Sequence, residues 1–239
     1  MHRNIIAIIP ARKSSKRLKN KNTKILGKKQ LFQWSLDLAQ KVKIFSKIII
    51  TTDSKEILKS ASKEKCVINL RPKKLSGDNI NLVDVTLYIC DLLKKQGTNV
   101  DDVVLFQPTS PFRSKKIVLK GIKNFYDCQR KNSVIAVSRI KKHPRVCLIK
   151  KNNNFSPFLK KHAFNLQSQA LEEIFSPNGS FYLSTLENLK KNKSFFSKKT
   201  IFIENFYDYE DIDIDEQKDL DLAKIIFNKY GKRIKNWQS

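Results

Sequence analysis

The chain predicts an α/β fold, a mostly parallel sheet with helices on both faces, from three observations. Short apolar runs recur from the first residues onward, among them Ile5–Ile9, Lys47–Ile50, Val103–Phe106 and Ser133–Val137. These runs read as strands buried on both faces, as in parallel sheets. Stretches with helical character join them, the pattern of a sheet covered on both sides.

The elements follow in order. Ile5–Ile9 reads as a buried strand and Leu31–Val42 as a helix with apolar residues near helical spacing. Lys47–Thr52 is the second strand, ended by Asp53, and a helix over Ser54–Glu64 leads to a short strand, Cys66–Leu70. Asn81–Lys95 is amphipathic, with Leu82, Val85, Ile89, Leu92 and Leu93 on one stripe. A strand at Val103–Phe106, a helix from Ser114 to Tyr126 and a strand at Ser133–Val137 continue the alternation. The rhythm breaks between Ser138 and Pro177, where His143-Pro144 and the polar run Lys150–Asn154 stand. It returns with strands at Gly179–Leu183 and Thr200–Ile203 and a last helix, Asp215–Tyr230.

At 239 residues and 40% hydrophobic content, the chain supports one sizeable core. A single domain over 1–239 is expected, with a dimerisation insertion at about 138–177 that meets another subunit. No apolar run approaches the roughly 20 residues of a membrane span. Charge returns at Arg12 before any secretory cleavage pattern. The expectation is a soluble, cytoplasmic protein without a membrane partner. Cys66, Cys90, Cys128 and Cys147 are widely spaced among apolar neighbours and read as reduced core thiols. His2, His143 and His162 form no metal-ligand spacing.

A net charge of +26 raises the question of a polyanionic partner. The lysines, however, run along the whole chain among Asn and Ile, with no cluster of stacking aromatics. No specific nucleic acid is expected, only nonspecific attraction at low salt.

In open α/β sheets, ligands bind beyond the carboxyl ends of the strands. Four segments stand at such ends: the basic stretch after Ile9, Asp53, Gln107-Pro-Thr-Ser-Pro, and Asp213-Ile-Asp215. The basic stretch carries Arg12, Lys16, Arg17, Lys19 and Lys21 after a strand. Exposed backbone N–H groups and cations there suit a triphosphate, and a solvated basic loop is an equal reading on composition. No Walker pattern is present. Pro108 and Pro111 pin the next loop, so that Gln107, Thr109 and Ser110 can address a ligand, while Ser114 suits an N-cap. The plain alternative is an ordinary strand-to-helix turn.

In "DIDID", Asp211 to Asp215, an extended backbone puts Asp213 and Asp215 on one face. Like charges side by side imply a cation between them, and hard oxygens near phosphates suit Mg²⁺. Asp215 also fits a helix cap and Asp219 a first-turn charge. Asn178-Gly179 reads as a turn needing positive φ.

These segments, in this order, resemble the acylneuraminate cytidylyltransferases, or CMP-sialic acid synthetases. "IIPARKSSKRLKNKN" is similar to the family's IPARxxSKRxxxKN loop, "LFQPTSPFR" to LQPTSPxR, "SPNGSFYL" to NGxxY, and "IDIDEQKDLDLA" to IDIDxxxDxxxA. The resemblance implies a Rossmann-like nucleotidyltransferase fold, normally dimeric. It further implies transfer of CMP from CTP to a nonulosonic, sialic-acid-like sugar acid, with release of pyrophosphate. On that basis Arg12, Ser15, Lys16 and Lys21 hold the triphosphate, with Arg12 and Lys21 stabilising charge in the transition state. Asn22 and Arg71 contact the nucleotide. Gln107, Thr109, Ser110 and Asn178 line the sugar-acid side, and Asp213 and Asp215 carry Mg²⁺ or another divalent cation.

The chain departs from the family pattern in two places. Lys13 and Ser14 replace two glycines, restricting backbone approach to phosphate, and Gln167 stands where an arginine is usual. The CMP-Kdo synthetase branch is the nearest alternative, but its QGDEP-type segment is replaced here by Gln107-Pro-Thr-Ser-Pro. A basic nucleic-acid-binding protein is the alternative from another class, and Asp213 and Asp215 argue against it by repelling a phosphate backbone.

Overall fold

Residue-by-residue alternation along the first strand explains how two cores form around one sheet. The computed structural model describes residues 4–77 and 79–237; His2 lies outside them. Strand β1 (Ile5–Pro10) is buried throughout. Ile5, Ala7 and Ile9 face one apolar core, and Ile6 and Ile8 face the other, as the two-residue period of a strand requires.

A small hairpin follows, β2 (Ile25–Leu26) with β3 (Lys29–Gln30). Gly27 stands between them at φ +63°, and the ring of Phe227 leaves no room there for a side chain. Helix α1 (Leu31–Val42) starts after Gln30, whose N–H donates to the Gln33 side chain at 2.8 Å. It leads into β4 (Lys47–Thr52). Helix α2 (Lys55–Ala61) is capped by the Ser54 hydroxyl and is shorter at both ends than the sequence suggests. Strand β5 (Val67–Leu70), helix α3 (Leu82–Lys95) and strand β6 (Asp102–Leu105) follow. Val83, Leu87 and Cys90 join the buried stripe of α3, which is therefore broader than its sequence periodicity shows.

Ser114 caps helix α4 (Lys115–Asp127) by accepting the Ile117 N–H. After β7 (Val134–Arg139), the stretch that breaks the rhythm folds as single-turn helices and an exposed hairpin, β8 (Leu148–Lys151) with β9 (Asn154–Pro157). Strand β10 (Phe175–Thr185), helix α5 (Leu186–Asn192), strand β11 (Ile201–Glu204) and helix α6 (Gln217–Trp237) complete the chain.

The seven-stranded sheet has the order β11-β7-β10-β6-β1-β4-β5. All its strands run parallel except β10, which pairs antiparallel with both β6 and β7. Helices α1, α2 and α4 cover one face and α3 and α5 the other. A third cluster gathers Leu26, Trp34 and the α6 residues Leu220, Ala223 and Ile234.

Four sequence expectations change. Strand β10 starts at Phe175 rather than Gly179, because Phe175–Pro177 pair with Val137–Arg139. Asn178-Gly179 is therefore a bulge within a strand, where the register shifts, with Gly179 at φ +76°. Of the cysteines only Cys90 is buried; Cys66, Cys128 and Cys147 are partly exposed, since they sit at the ends of elements rather than in their middles. Asp215 is not a helix cap: Asp219 turns back to accept the N–H groups of Asp215 and Glu216, at 3.0 and 2.8 Å. The last helix accordingly begins at Gln217 and runs on to Trp237.

Candidate active site

Each of three polar segments is pinned to the third cluster by an apolar side chain. Leu18 of the basic loop, Phe112 of the proline-pinned loop and Ile214 between two aspartates are all buried there. Burial of Ile214 turns Asp213 and Asp215 away from the cluster into the opposite side, by strand alternation. The main chain fixes the same segment again, because the Ile214 N–H donates to the Thr109 carbonyl at 2.8 Å.

The result is a cleft of about 320 Å³ beyond the carboxyl ends of β1, β5 and β6. Arg12, Arg17, Lys21, Asn22 and Arg71 line it together with Gln107, Thr109, Asp213 and Asp215. Leu75, Ile80, Leu82 and Val85 form an apolar wall. A second hollow of about 350 Å³ adjoins it past Arg12 and Asn22, walled by Lys13, Asp53 and Lys55.

The basic loop is held through main-chain groups. Asp53 accepts the Lys13 N–H at 2.6 Å, and the Asn22 side chain donates to the Arg12 carbonyl at 2.8 Å. Asn22 is buried, and Lys21 is mostly so. Arg71 is buried and donates to the Thr51 carbonyl at 2.9 Å. Burial lowers its pKa to about 10, with Asp53 opposing and Arg12 adding to the shift.

Of the aspartate pair, Asp215 already has cations beside it from within the chain. Lys21 Nζ stands 2.7 Å from Asp215 and Arg17 2.5 Å from it. Partial burial acts to raise the Asp215 pKa, but the hydrogen bond from Lys21 and the charges of Lys21 and Arg17 hold it below the usual carboxylate range. Asp213 behaves oppositely. Its carboxyl opens to the cleft mouth, but the protein walls around it desolvate the charge and raise its pKa, and Asp215 adds to the rise. The Thr109 hydroxyl and Lys21 act against that rise. The Thr109 hydroxyl is nevertheless buried with no partner of hydrogen-bond geometry among the described residues.

Ser15, Lys16, Ser110 and Asn178 do not line this cleft. Ser15 and Lys16 lie between Arg12 and Arg17 on the basic loop, outside that lining. Ser110 donates to the Asn178 carbonyl at 3.3 Å, and the Asn178 amide donates to Ser138 at 2.9 Å. This pair stands behind Gln107, whose side chain lies 3.5 Å from where a Cβ on Gly179 would be.

Sequence reasoning passed over Arg17, Arg113 and Glu210. Arg17 stood among the loop cations without a role. The arginine of "TSPFR" and the glutamate of "DYEDID" were given no role, yet Arg113 and Glu210 are each 1% exposed.

Whether a divalent cation fits can be judged from the donors. Among the described residues no cluster of three His, Cys, Asp or Glu side chains is preassembled. Mg²⁺ characteristically takes one or two carboxylates together with substrate phosphate oxygens. Asp213, facing the cleft with a desolvated carboxyl, and Asp215 beside it match that donor set.

Comparison with known proteins agrees with the geometry. Residues 6–234 match the cytidylyltransferase family. N-acylneuraminate cytidylyltransferase of Escherichia coli is 27% identical over 98% of this chain, although the chain spans only 54% of that relative. CMP-N,N'-diacetyllegionaminic acid synthase of Legionella pneumophila is 31% identical over 92% of this chain and 94% of its own. In fold, the chain resembles CMP:2-keto-3-deoxy-manno-octonic acid synthetase, solved with CTP, with a TM-score of 0.67 over 95% of this chain and 99% of that one at 13% identity. With the nucleotidyltransferase sheet, the basic loop and the aspartate pair in place, the chain belongs to the cytidylyltransferase family.

Proposed function

We propose that this protein transfers CMP from CTP to the anomeric hydroxyl of a nonulosonic sugar acid, releasing pyrophosphate and making an activated CMP-sugar for surface glycan synthesis. The observation that carries the reading is the cleft that gathers Arg12, Lys21, Asn22 and Arg71 with Gln107, Thr109, Asp213 and Asp215. The names of the relatives support the same chemistry.

The anomeric oxygen attacks the α-phosphorus in line, the bond to the β,γ-pyrophosphate breaks, and the hydroxyl proton leaves to solvent. Such a step draws chiefly on positioning and on charge neutralisation. Arg12 and Lys21 stabilise negative charge on the triphosphate, with Ser15 and Lys16 completing the loop. Asn22 and Arg71 hold the nucleotide. Gln107 and Thr109 orient the sugar acid, backed by Ser110 and Asn178. Asp213 and Asp215 would hold Mg²⁺, which when bound neutralises phosphate oxygens.

The segment at 138–177 serves as a dimerisation arm in this reading. Its hairpin and neighbouring residues expose Leu148, Phe155, Phe158 and Leu166, more apolar surface than a lone loop accounts for. Because the reaction draws on CTP, we place it in the cytoplasm.

Calorimetry with the four nucleoside triphosphates and Mg²⁺ tests the nucleotide half. CTP is expected to bind selectively, and Lys21→Ala to weaken it. Equal affinity for all four would contradict the reading.

A further inference from the structure

Among the described residues Arg113 is the largest fully buried side chain, and nothing in the proposed chemistry uses it. Its guanidinium binds three separate segments. Nη2 donates to the Gln107 carbonyl at 2.9 Å, Nη1 to the Ser35 hydroxyl on α1 at 3.2 Å, and Nε to the Ser180 carbonyl in the β10 bulge. The plane also lies over the Phe106 ring, 4.7 Å from its centroid.

Gln107 and the Asn178–Ser180 bulge are the segments assigned to the sugar acid, and they come from strands β6 and β10, which run antiparallel. The ladder fixes their register as far as Leu105 and Tyr182, and Ser110 reaches the Asn178 carbonyl beyond it, but the Gln107 and Ser180 carbonyls still need one common anchor. A planar fork with fixed donor directions supplies it, which an ammonium cannot do.

The buried charge is balanced at a distance. Glu210, also buried, accepts N–H groups from Ser114 at 3.0 Å and from Phe206 at 2.6 Å, tying the start of α4 to the segment before Asp213. Burial lowers the Arg113 pKa to about 9, and Glu210 acts against the shift.

We propose that Arg113 is the positioning residue of the sugar-acid half of the site, setting Gln107 and the Asn178–Gly179 bulge against the triphosphate half. The triphosphate half has anchors of its own in Asp53 and Thr51 and meets the Arg113 loop through the packing of Leu18 and Phe112, so it should depend on Arg113 less. The inference rests on the function proposed above, and its test separates the two.

The experiment compares wild type with Arg113→Lys, which keeps the charge and loses the fork, and with the milder Ser35→Ala. Hydrogen exchange needs no substrate: exchange should speed most at 107–114 and 178–181 and change much less at 11–22. Uniform acceleration, or none, would overturn the proposal. In kinetics with CTP and the sugar acid varied separately, Arg113→Lys should lose about 100-fold in kcat/KM for the sugar acid, with the KM for CTP within about twofold. Equal loss toward both substrates would overturn it. Should Arg113→Lys fail to fold, Ser35→Ala must show the same asymmetry on a smaller scale, and no asymmetry there sinks the idea. A wild type inactive toward every nonulosonic acid would refute the function proposed above, and the exchange pattern would still decide the role of Arg113.

Discussion

Asp213 and Asp215 share a cleft but differ in what neutralises them, and this separates their expected mutant behaviour. Asp215 is held ionised by Lys21 and Arg17. Its folded pKa is depressed, so its contribution to stability is present above the unfolded value and lost as pH falls through the folded one. Asp215→Asn should therefore cut turnover by about 100-fold or more, as for other removed charge-positioning groups. Melting at neutral pH should fall while the fold persists, because the mostly buried Lys21 loses its charged partner. Full Mg²⁺-dependent activity in that variant would remove Asp215 from the site. Asp213 has a raised pKa, so the folded protein holds its proton longer than the unfolded chain. Stability then falls as pH rises from the unfolded value through the folded one. Asp213→Asn should accordingly melt higher than wild type at pH 7 without metal, equal it near pH 3, and be inactive. A lower melting temperature at pH 7 would show that the Asp213 charge is structural. The carboxylate pair was legible in the sequence because strand alternation forces residues two apart to one face. Which carboxylate was already paired was not, since Lys21 and Arg17 lie nearly two hundred residues away in the chain.

At the scale of elements, the cleft depends on single apolar side chains set in polar motifs. Leu18, Phe112 and Ile214 meet in one cluster with α6 and the β2–β3 hairpin. Ile214→Ala should cost about 2–5 kcal/mol, the range for a fully buried aliphatic truncation, and lower activity further by freeing the aspartates. Chemical denaturation together with turnover checks both; a loss well under 1 kcal/mol would mean the anchor is not Ile214. The strands of the sheet were readable because a parallel sheet buried on both faces writes nearly continuous apolar runs. The bulge in β10 was not: Asn-Gly is the signature of a turn, and only the pairing of Phe175–Pro177 with β7 shows that the strand starts earlier. Buried Arg113 and Glu210 were invisible for a related reason. A charge is read as solvent-facing unless its partners are known, and here these are main-chain groups from remote segments.

For the whole molecule, the break in rhythm between Ser138 and Pro177 is the informative feature. The β8–β9 hairpin and its surroundings expose aromatic and aliphatic side chains that the chain itself leaves uncovered. A dimeric mass is expected by light scattering at micromolar concentration, and Phe155→Lys with Phe158→Lys should give monomers. A wild-type monomer would contradict the arm. The net charge of +26 is carried by scattered lysines and does not by itself mark a partner; its consequence is salt-sensitive attraction to any polyanion. The central claim, CMP transfer to a nonulosonic acid, is tested most directly by pyrophosphate release from CTP and Mg²⁺ with sialic, legionaminic and pseudaminic acids and Kdo supplied separately. Release with a nine-carbon acid, absent in Asp215→Asn, is the predicted result. Release with Kdo alone, or with none of the four despite bound CTP, would contradict it.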